Sequence, residues 1–279
     1  MAFPMKGAPL AALLSCWSTH SLGFTSRRSL PPQGGLSEPC DCLSWKGVYS
    51  RGGAKCGQGH EFLHWLQVEK YPVWAARLIQ TQETCFDFFH RIEDNYCVNM
   101  VRTNEPDEAY SGQWCWVSKD CPVGEEPPVG KEWGRTDVKM KNCTPGQDPM
   151  LRDFSPQELK EWAEENELNF AFAAKMAWLT EREVRWQQAE SFYMSEESDH
   201  KKMALNKPGL SKFQLSAATG RKLRWIKKTN TPHVIDAQSD NSTMAVVKGS
   251  EVYVIKPEKE VRDQPNTKNS WNCGANCQF

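Results

Sequence analysis

Ten cysteines, Cys40, Cys42, Cys56, Cys85, Cys97, Cys115, Cys121, Cys143, Cys273 and Cys277, constrain this chain more than any other feature. Eight of them fall between residues 40 and 143, a density that is common where disulfides form and rare where glutathione keeps thiols reduced. An eleventh, Cys16, lies in the apolar leader; without it the count is even, as complete pairing requires. Connectivity stays open, because eight cysteines alone allow about a hundred pairings. The chain also carries 12 Trp and 12 Phe, bulky anchors that a disordered chain lacks, so a folded core is expected.

The N-terminus agrees with an oxidising destination. Lys6 precedes an apolar run from Ala8 to Trp17, and small and polar residues follow through Ser21 and Gly23, the layout of a signal peptide over residues 1–23. That run is too short to span a bilayer, and no later segment approaches the roughly 20 apolar residues needed, so no transmembrane segment is expected. Residues 24–39 read as a linker or a second targeting segment. Their Arg- and Ser-rich, acid-free start, Phe24-Thr-Ser-Arg-Arg-Ser-Leu-Pro-Pro32, leaves a plastid address as the alternative to secretion or a secretory-pathway lumen. Two sequons, at Asn142 and Asn241, are compatible with a glycoprotein on the same route. A formal net charge of -1 gives no reason to expect nucleic acid as partner.

Beyond the linker the pattern predicts an α+β chain in four parts. Residues 40–149 form a loop-rich, disulfide-rich domain with one helix over Val73–Ile92, in which Trp74, Leu78, Ile79, Cys85, Phe86 and Phe89 recur on one face. Residues 150–199 form a helical hairpin: Ser155-Pro156-Gln157-Glu158 opens its first helix as a capping box, and Thr180-Glu-Arg-Glu183 opens a second helix running toward Met194. Residues 200–262 read as a small antiparallel β module, with strands over Phe213–Ala218, Leu223–Lys228, His233–Ala237, Met244–Lys248 and Val252–Lys256 and turns at Thr219-Gly220 and Gly249-Ser250. The tail, 263–279, closes on a local Cys273–Cys277 ring. Residues 150–200 hold about seven more acids than bases, and 201–279 about eight more bases than acids, which predicts acidic helices docked on a basic sheet or, alternatively, a basic binding face.

One motif carries chemistry. His60-Glu61-Phe62-Leu63-His64 is an H-E-x-x-H string; on a helix both imidazoles would project toward one Zn²⁺, with Glu61 as the base that activates metal-bound water. Glu83, nineteen residues after His64, would complete a metal set of His60, His64 and Glu83 that resembles the gluzincin metallopeptidases, with Asp87 orienting a ligand. Against this reading, the string follows Cys56-Gly57-Gln58-Gly59, Pro72 interrupts any helix soon after, and the flanking cysteines imply a compact staple. The competing reading, in which Phe62, Leu63 and Trp65 pack and no metal or other cofactor is held, is preferred.

Two resemblances bear on architecture. Asn95-Tyr-Cys97 with Gly112-Gln-Trp-Cys115-Trp-Val117 resembles the N-Y-C and W-C elements of kringle domains over fewer than about thirty residues; a Pro is absent and the interval between the cysteines is longer, so no ligand-binding role is carried over. More widely, Cys40-Asp-Cys42, Lys55-Cys56-Gly57, Asn95-Tyr-Cys97, Gly112-Gln-Trp-Cys115 through Cys121, Ala174-Lys-Met176 and Pro232-His-Val-Ile235 look like a family of secreted cysteine-rich proteins from algal protists. That resemblance implies an address and an architecture, with no assigned reaction. The expectation is therefore a secreted or luminal, disulfide-stabilised interaction or structural protein with a protein or glycan partner, its exposed aromatics and basic sheet the candidate surfaces. The alternative is a zinc metallopeptidase.

Overall fold

The computed structural model describes residues 38–103, 112–128, 136–194, 216–236, 243–257 and 269–277. The signal-peptide and linker expectations and the Asn241 sequon lie outside these residues. Ser37–Phe279 form one compact unit.

All ten cysteines pair, as Cys40–Cys121, Cys42–Cys115, Cys56–Cys85, Cys97–Cys143 and Cys273–Cys277. The first four bridges wrap a core built around a three-stranded antiparallel sheet, β1 (Val98–Asn99), β2 (Gln113–Ser118) and β3 (Val138–Asn142). The central strand buries Trp114, Cys115, Trp116 and Val117 completely; a strand covered on both faces reads as a continuous apolar run, as this one does. Helix α1 (Trp45–Ser50) lays Trp45 edge-on against Trp114, with ring centroids 5.0 Å apart.

Helix α2 (Val73–Gln80) continues directly into a π-helix over Thr81–Phe89. The predicted helix is thus present, but its packing differs from the expected face. Ala75, Ala76, Gln80, Thr84, Cys85, Phe88 and Phe89 are buried, whereas Trp74, Leu78, Ile79 and Phe86 point to solvent. Alanines and the Cys56–Cys85 bridge permit close approach on the inner side. The wider i→i+5 turn then swings Phe88 and Phe89 into the core while Phe86 stays out.

The capping box forms as the sequence requires: Ser155 Oγ accepts from the Glu158 amide at the start of α3 (Pro156–Glu165), and the Glu158 carboxylate accepts from the Ser155 amide. The hairpin does not form as expected. After α3 the chain breaks at Glu167, whose φ is 54°, and restarts as α4 (Phe170–Ala177) with Asn169 as its cap. Thr180–Glu181, expected to open a helix, is strand β4, and α5 (Trp186–Met194) begins later. The reason is tertiary: Glu181 is held by His233 and Lys222, which recruits the segment to a sheet edge.

That second sheet runs β4-β5-β6-β7-β8, with β5 His233–Ile235, β6 Met244–Lys248, β7 Glu251–Pro257 and β8 Asn269–Ala275. It is antiparallel except that β4 joins β5 in parallel. Gly249-Ser250 turns β6 into β7 with Gly249 at φ 59°, the positive value that a tight hairpin needs. Side chains alternate as the pleat dictates. Val234, Met244, Val246, Tyr253 and Ile255 join the large core, while Ile235, Ala245, Val247, Val252 and Val254 pack against Trp186, Ala189, Leu223 and Ile226.

Two expected strands are not found among the described residues. Ala217–Thr229 is a helix, α6, so Leu223–Lys228 and the end of Phe213–Ala218 are helical, and Thr219-Gly220 is a turn of helix rather than a hairpin; Phe213–Leu215 lie outside the described residues. Gly220, Leu223 and Ile226 are buried at three-residue spacing, and Ser216 Oγ caps the Thr219 amide, a periodicity that outweighs the modest strand preference of Trp and Ile. Among the described residues of the C-terminal segment, five cations, Arg221, Lys222, Arg224, Lys227 and Lys228, lie on this helix and two, Lys248 and Lys256, on the sheet.

Candidate functional site

The H-E-x-x-H string does not lie on a helix. His60 sits in a bend and Glu61 and Phe62 in a turn, and helical structure starts only at Leu63, which caps a π-helical turn over His64–Val68. The preceding loop is pressed against the core: a Cβ on Gly59 would stand 2.8 Å from the Trp114 and Trp116 rings, and Gly57 has φ 96°. Its residues therefore point to different partners. His60 meets the edge of Trp114, with ring centroids 5.3 Å apart, and its Nδ1 has no hydrogen-bond partner among the described residues. Burial holds its pKa down, at about 4.

His64 is buried and accepts a hydrogen bond at Nδ1 from the Arg102 amide, 3.3 Å away. Its pKa falls to about 3, through burial first and then the positive charges of Arg102, Arg182 and Lys175. A ring so placed stays neutral, and its Nε2, 3.7 Å from Glu69, makes no true ion pair. The same three cations would repel a divalent ion. Glu83 is exposed, and Asp87 pairs with Arg91 at 3.1 Å. Among the described residues, the one set of three or more His, Cys, Asp or Glu ligand atoms close enough to share an ion is Cys42, Cys97, Cys115 and Cys143. Those four sulfurs already form two disulfides. They stack with Cys42 Sγ 3.5 Å from Cys97 Sγ, a van der Waals contact, since neither sulfur carries a proton. His60, His64 and Glu83 are thus not gathered into a zinc centre.

Glu61 has a distinct environment. It is buried; Tyr49 donates its hydroxyl to Oε1 at 2.7 Å, and Trp116 Nε1 donates to the Tyr49 oxygen at 3.0 Å. Oε2 closes no hydrogen bond of normal geometry. Burial raises its pKa to about 7, while Tyr49 and the amides of Glu61, Gly59 and Gly57 pull the other way. Burial together with the Glu61 charge pushes the Tyr49 phenol well above its ordinary range.

A second polar centre was not foreseen. Glu181, buried, accepts from His233 Nδ1 and from Lys222 Nζ, each at 3.0 Å, and His233 Nε2 lies 3.4 Å from Thr229 Oγ1. The Glu181 carboxyl lies below its usual range: burial, the largest influence, acts upward, but the hydrogen bonds and charges of His233 and Lys222 together outweigh it. Carboxylate, imidazole and hydroxyl stand in the order of an acyl-transfer relay. Yet Thr229 Oγ1 donates its proton to the Ile226 carbonyl at 2.8 Å, so it is not poised to give that proton to His233. The cluster ties β4, β5 and α6 together. No sequence signal pointed to it, because its members are up to 52 residues apart.

One face open to solvent is apolar. Along α2 and its π-helical extension Val73 is 46%, Trp74 70%, Leu78 77%, Ile79 59% and Phe86 51% exposed. This segment is hydrophobic on both sides, a pattern that belongs to a helix covered all round. Its inner side is pinned by Cys56–Cys85 and by Arg102, which donates to Thr84 Oγ1 at 3.4 Å and whose guanidinium also lies 4.8 and 4.2 Å from the Trp65 and Phe172 ring centroids. The exposed side chains are thus carried on a rigid support. Elsewhere, a groove of about 380 Å³ opens beside the Cys273–Cys277 bridge, lined in part by Trp186, Glu190, Val254 and Lys256. Asn142, at the end of β3, is exposed, as a glycan acceptor must be. No helix among the described residues is long and apolar enough to cross a membrane.

No protein-family model, curated protein or solved structure matches the chain.

Proposed function

We propose that this is a secreted or luminal interaction protein, non-catalytic, that docks a protein partner through the apolar outer face of α2. The observation that carries the reading is the exposure of Trp74, Leu78, Ile79 and Phe86 on one disulfide-braced element. Contiguous apolar patches beyond a few hundred Å² are uncommon on monomers and mark interaction surfaces. Trp and Phe dominate interface energetics when a partner buries them. The five bridges support an oxidising compartment, and Cys56–Cys85 preorganises the face so that little ordering cost falls on binding.

The test is capture of a partner from the native compartment by the oxidised protein, followed by binding measurements with Trp74→Ala and Leu78→Glu. Each should weaken the complex by about 2 kcal/mol or more, as hot-spot residues do, with unchanged thermal unfolding. Undiminished binding by both variants would remove α2 as the docking face.

A further inference from the structure

We infer that the solvent face of α6 binds a sulfated polysaccharide. This surface is separate from the α2 face and borrows from the preceding reading only the oxidising side of the membrane. Of the helix's five cations, Arg221, Arg224, Lys227 and Lys228 are exposed, as is Trp225, and the helix contains no acidic residue. Arg221, Arg224, Trp225 and Lys228 follow i, i+3, i+4, i+7 spacing, so they form one stripe about 10 Å long.

Two observations separate this stripe from an ordinary solvated face. Its charges are not neutralised: Arg221, Arg224 and Lys228 make no ion pair among the described residues, while the fifth cation, Lys222, pairs with Glu181. Like charges three and four residues apart cost helix stability. Lys227 and Lys228 are accounted for by their place in the last turn, where the helix dipole favours cations; Arg221 and Arg224 have no such compensation. With a formal net charge of -1, the whole chain has no bulk attraction for polyanions, so any such binding must come from a local patch.

The second observation is Trp225, half exposed at the centre of the stripe. Lys222 Nζ sits 5.0 Å from its ring, and the ring packs against His233 at a 72° interplanar angle with centroids 5.5 Å apart. The indole is thereby fixed with apolar surface outward, suited to stacking on the C–H face of a sugar ring, while planar guanidiniums on either side fork onto sulfate oxygens. Compartment decides between polyanions. The anionic leaflet that attracts basic segments is the cytoplasmic one, whereas a chain with five disulfides works on the opposite side.

The experiment measures binding of the full mature, oxidised protein to dextran sulfate, neutral dextran and phosphatidylserine vesicles, at low salt and at about 0.15 M. Dextran sulfate alone should bind, more weakly as salt rises. The triple variant Arg221→Gln, Arg224→Gln, Lys228→Gln should lose at least about tenfold in affinity, ~1.4 kcal/mol. Trp225→Ala should lose several-fold with the salt dependence kept. Arg224→Lys, which keeps charge and fold but not the fork, should also weaken binding, and this holds the idea to account if the triple variant fails to fold. Neutralising Arg51, Lys55 and Lys119, exposed on other elements, should change affinity by less than about twofold, and Leu78→Glu should bind dextran sulfate normally, whatever becomes of the α2 face. The inference is overturned if the wild type ignores dextran sulfate at about 0.15 M salt, if the control triple loses as much, or if the vesicles bind through the same residues.

Discussion

Replacing Glu61 by Gln should change how stability depends on pH, because the carboxyl is buried with one oxygen unpaired and its pKa is raised to about 7. In the unfolded chain the same group titrates near its ordinary 4.5. Between those two values the unfolded state releases its proton while the folded state keeps it, so the stability contributed by Glu61 is complete below about pH 4.5 and is lost as pH rises to about 7. At ~1.4 kcal/mol per pH unit, the interval corresponds to about 3 kcal/mol, an order-of-magnitude figure. Gln keeps the acceptor for Tyr49 but cannot ionise. Its amide introduces N–H groups that need partners, costing about 1–3 kcal/mol at every pH. The gap between variant and wild type should therefore close or reverse with rising pH, by about 3 kcal/mol in total. The assay is urea unfolding of the disulfide-intact proteins, followed by tryptophan fluorescence at several values from about pH 4.5 to 8, with m held common. Contributions of His60 and His64 are shared by both proteins and cancel. Parallel stability curves would refute the reasoning, since they would mean that Glu61 is ionised throughout.

His64 acts on the acid side in the opposite sense: its folded pKa of about 3 lies below the ordinary 6.5, so stability is present above about pH 6.5 and lost as pH falls, and His64→Asn should flatten that loss by a few kcal/mol in acid-unfolding curves. Cys56→Ser with Cys85→Ser opens a loop of 29 residues and should cost about 3–4 kcal/mol by urea unfolding. Leu78→Ala should alter stability by less than about 0.5 kcal/mol, whereas Phe88→Ala, ten residues on and buried, should cost about 3–5 kcal/mol; comparable losses would mean that the α2 face is covered.

Much of the architecture was written locally. The cysteine count and crowding implied a cross-linked domain, Ser155 to Glu158 specified a helix start, and the short β-branched runs of β6 and β7 specified a hairpin with Gly249 at its turn. Each depends on neighbours within a few residues, so composition and spacing suffice. Three features depended on partners far away in the chain. The pairing of ten cysteines follows from which strands lie side by side, bringing Cys40 to Cys121 across 81 residues. The H-E-x-x-H string is no helix because Gly59 and Glu61 are pressed against Trp114, Trp116 and Tyr49. Periodicity groups Trp74, Leu78, Ile79, Cys85, Phe86 and Phe89 on one face of α2 and its extension, yet most of that face meets water, because small and apolar residues also line the opposite side and spacing alone does not rank the two. Long-range packing made that choice: the alanines and Cys85 fit the core at close approach, and the larger Trp74, Leu78 and Phe86 were left outside.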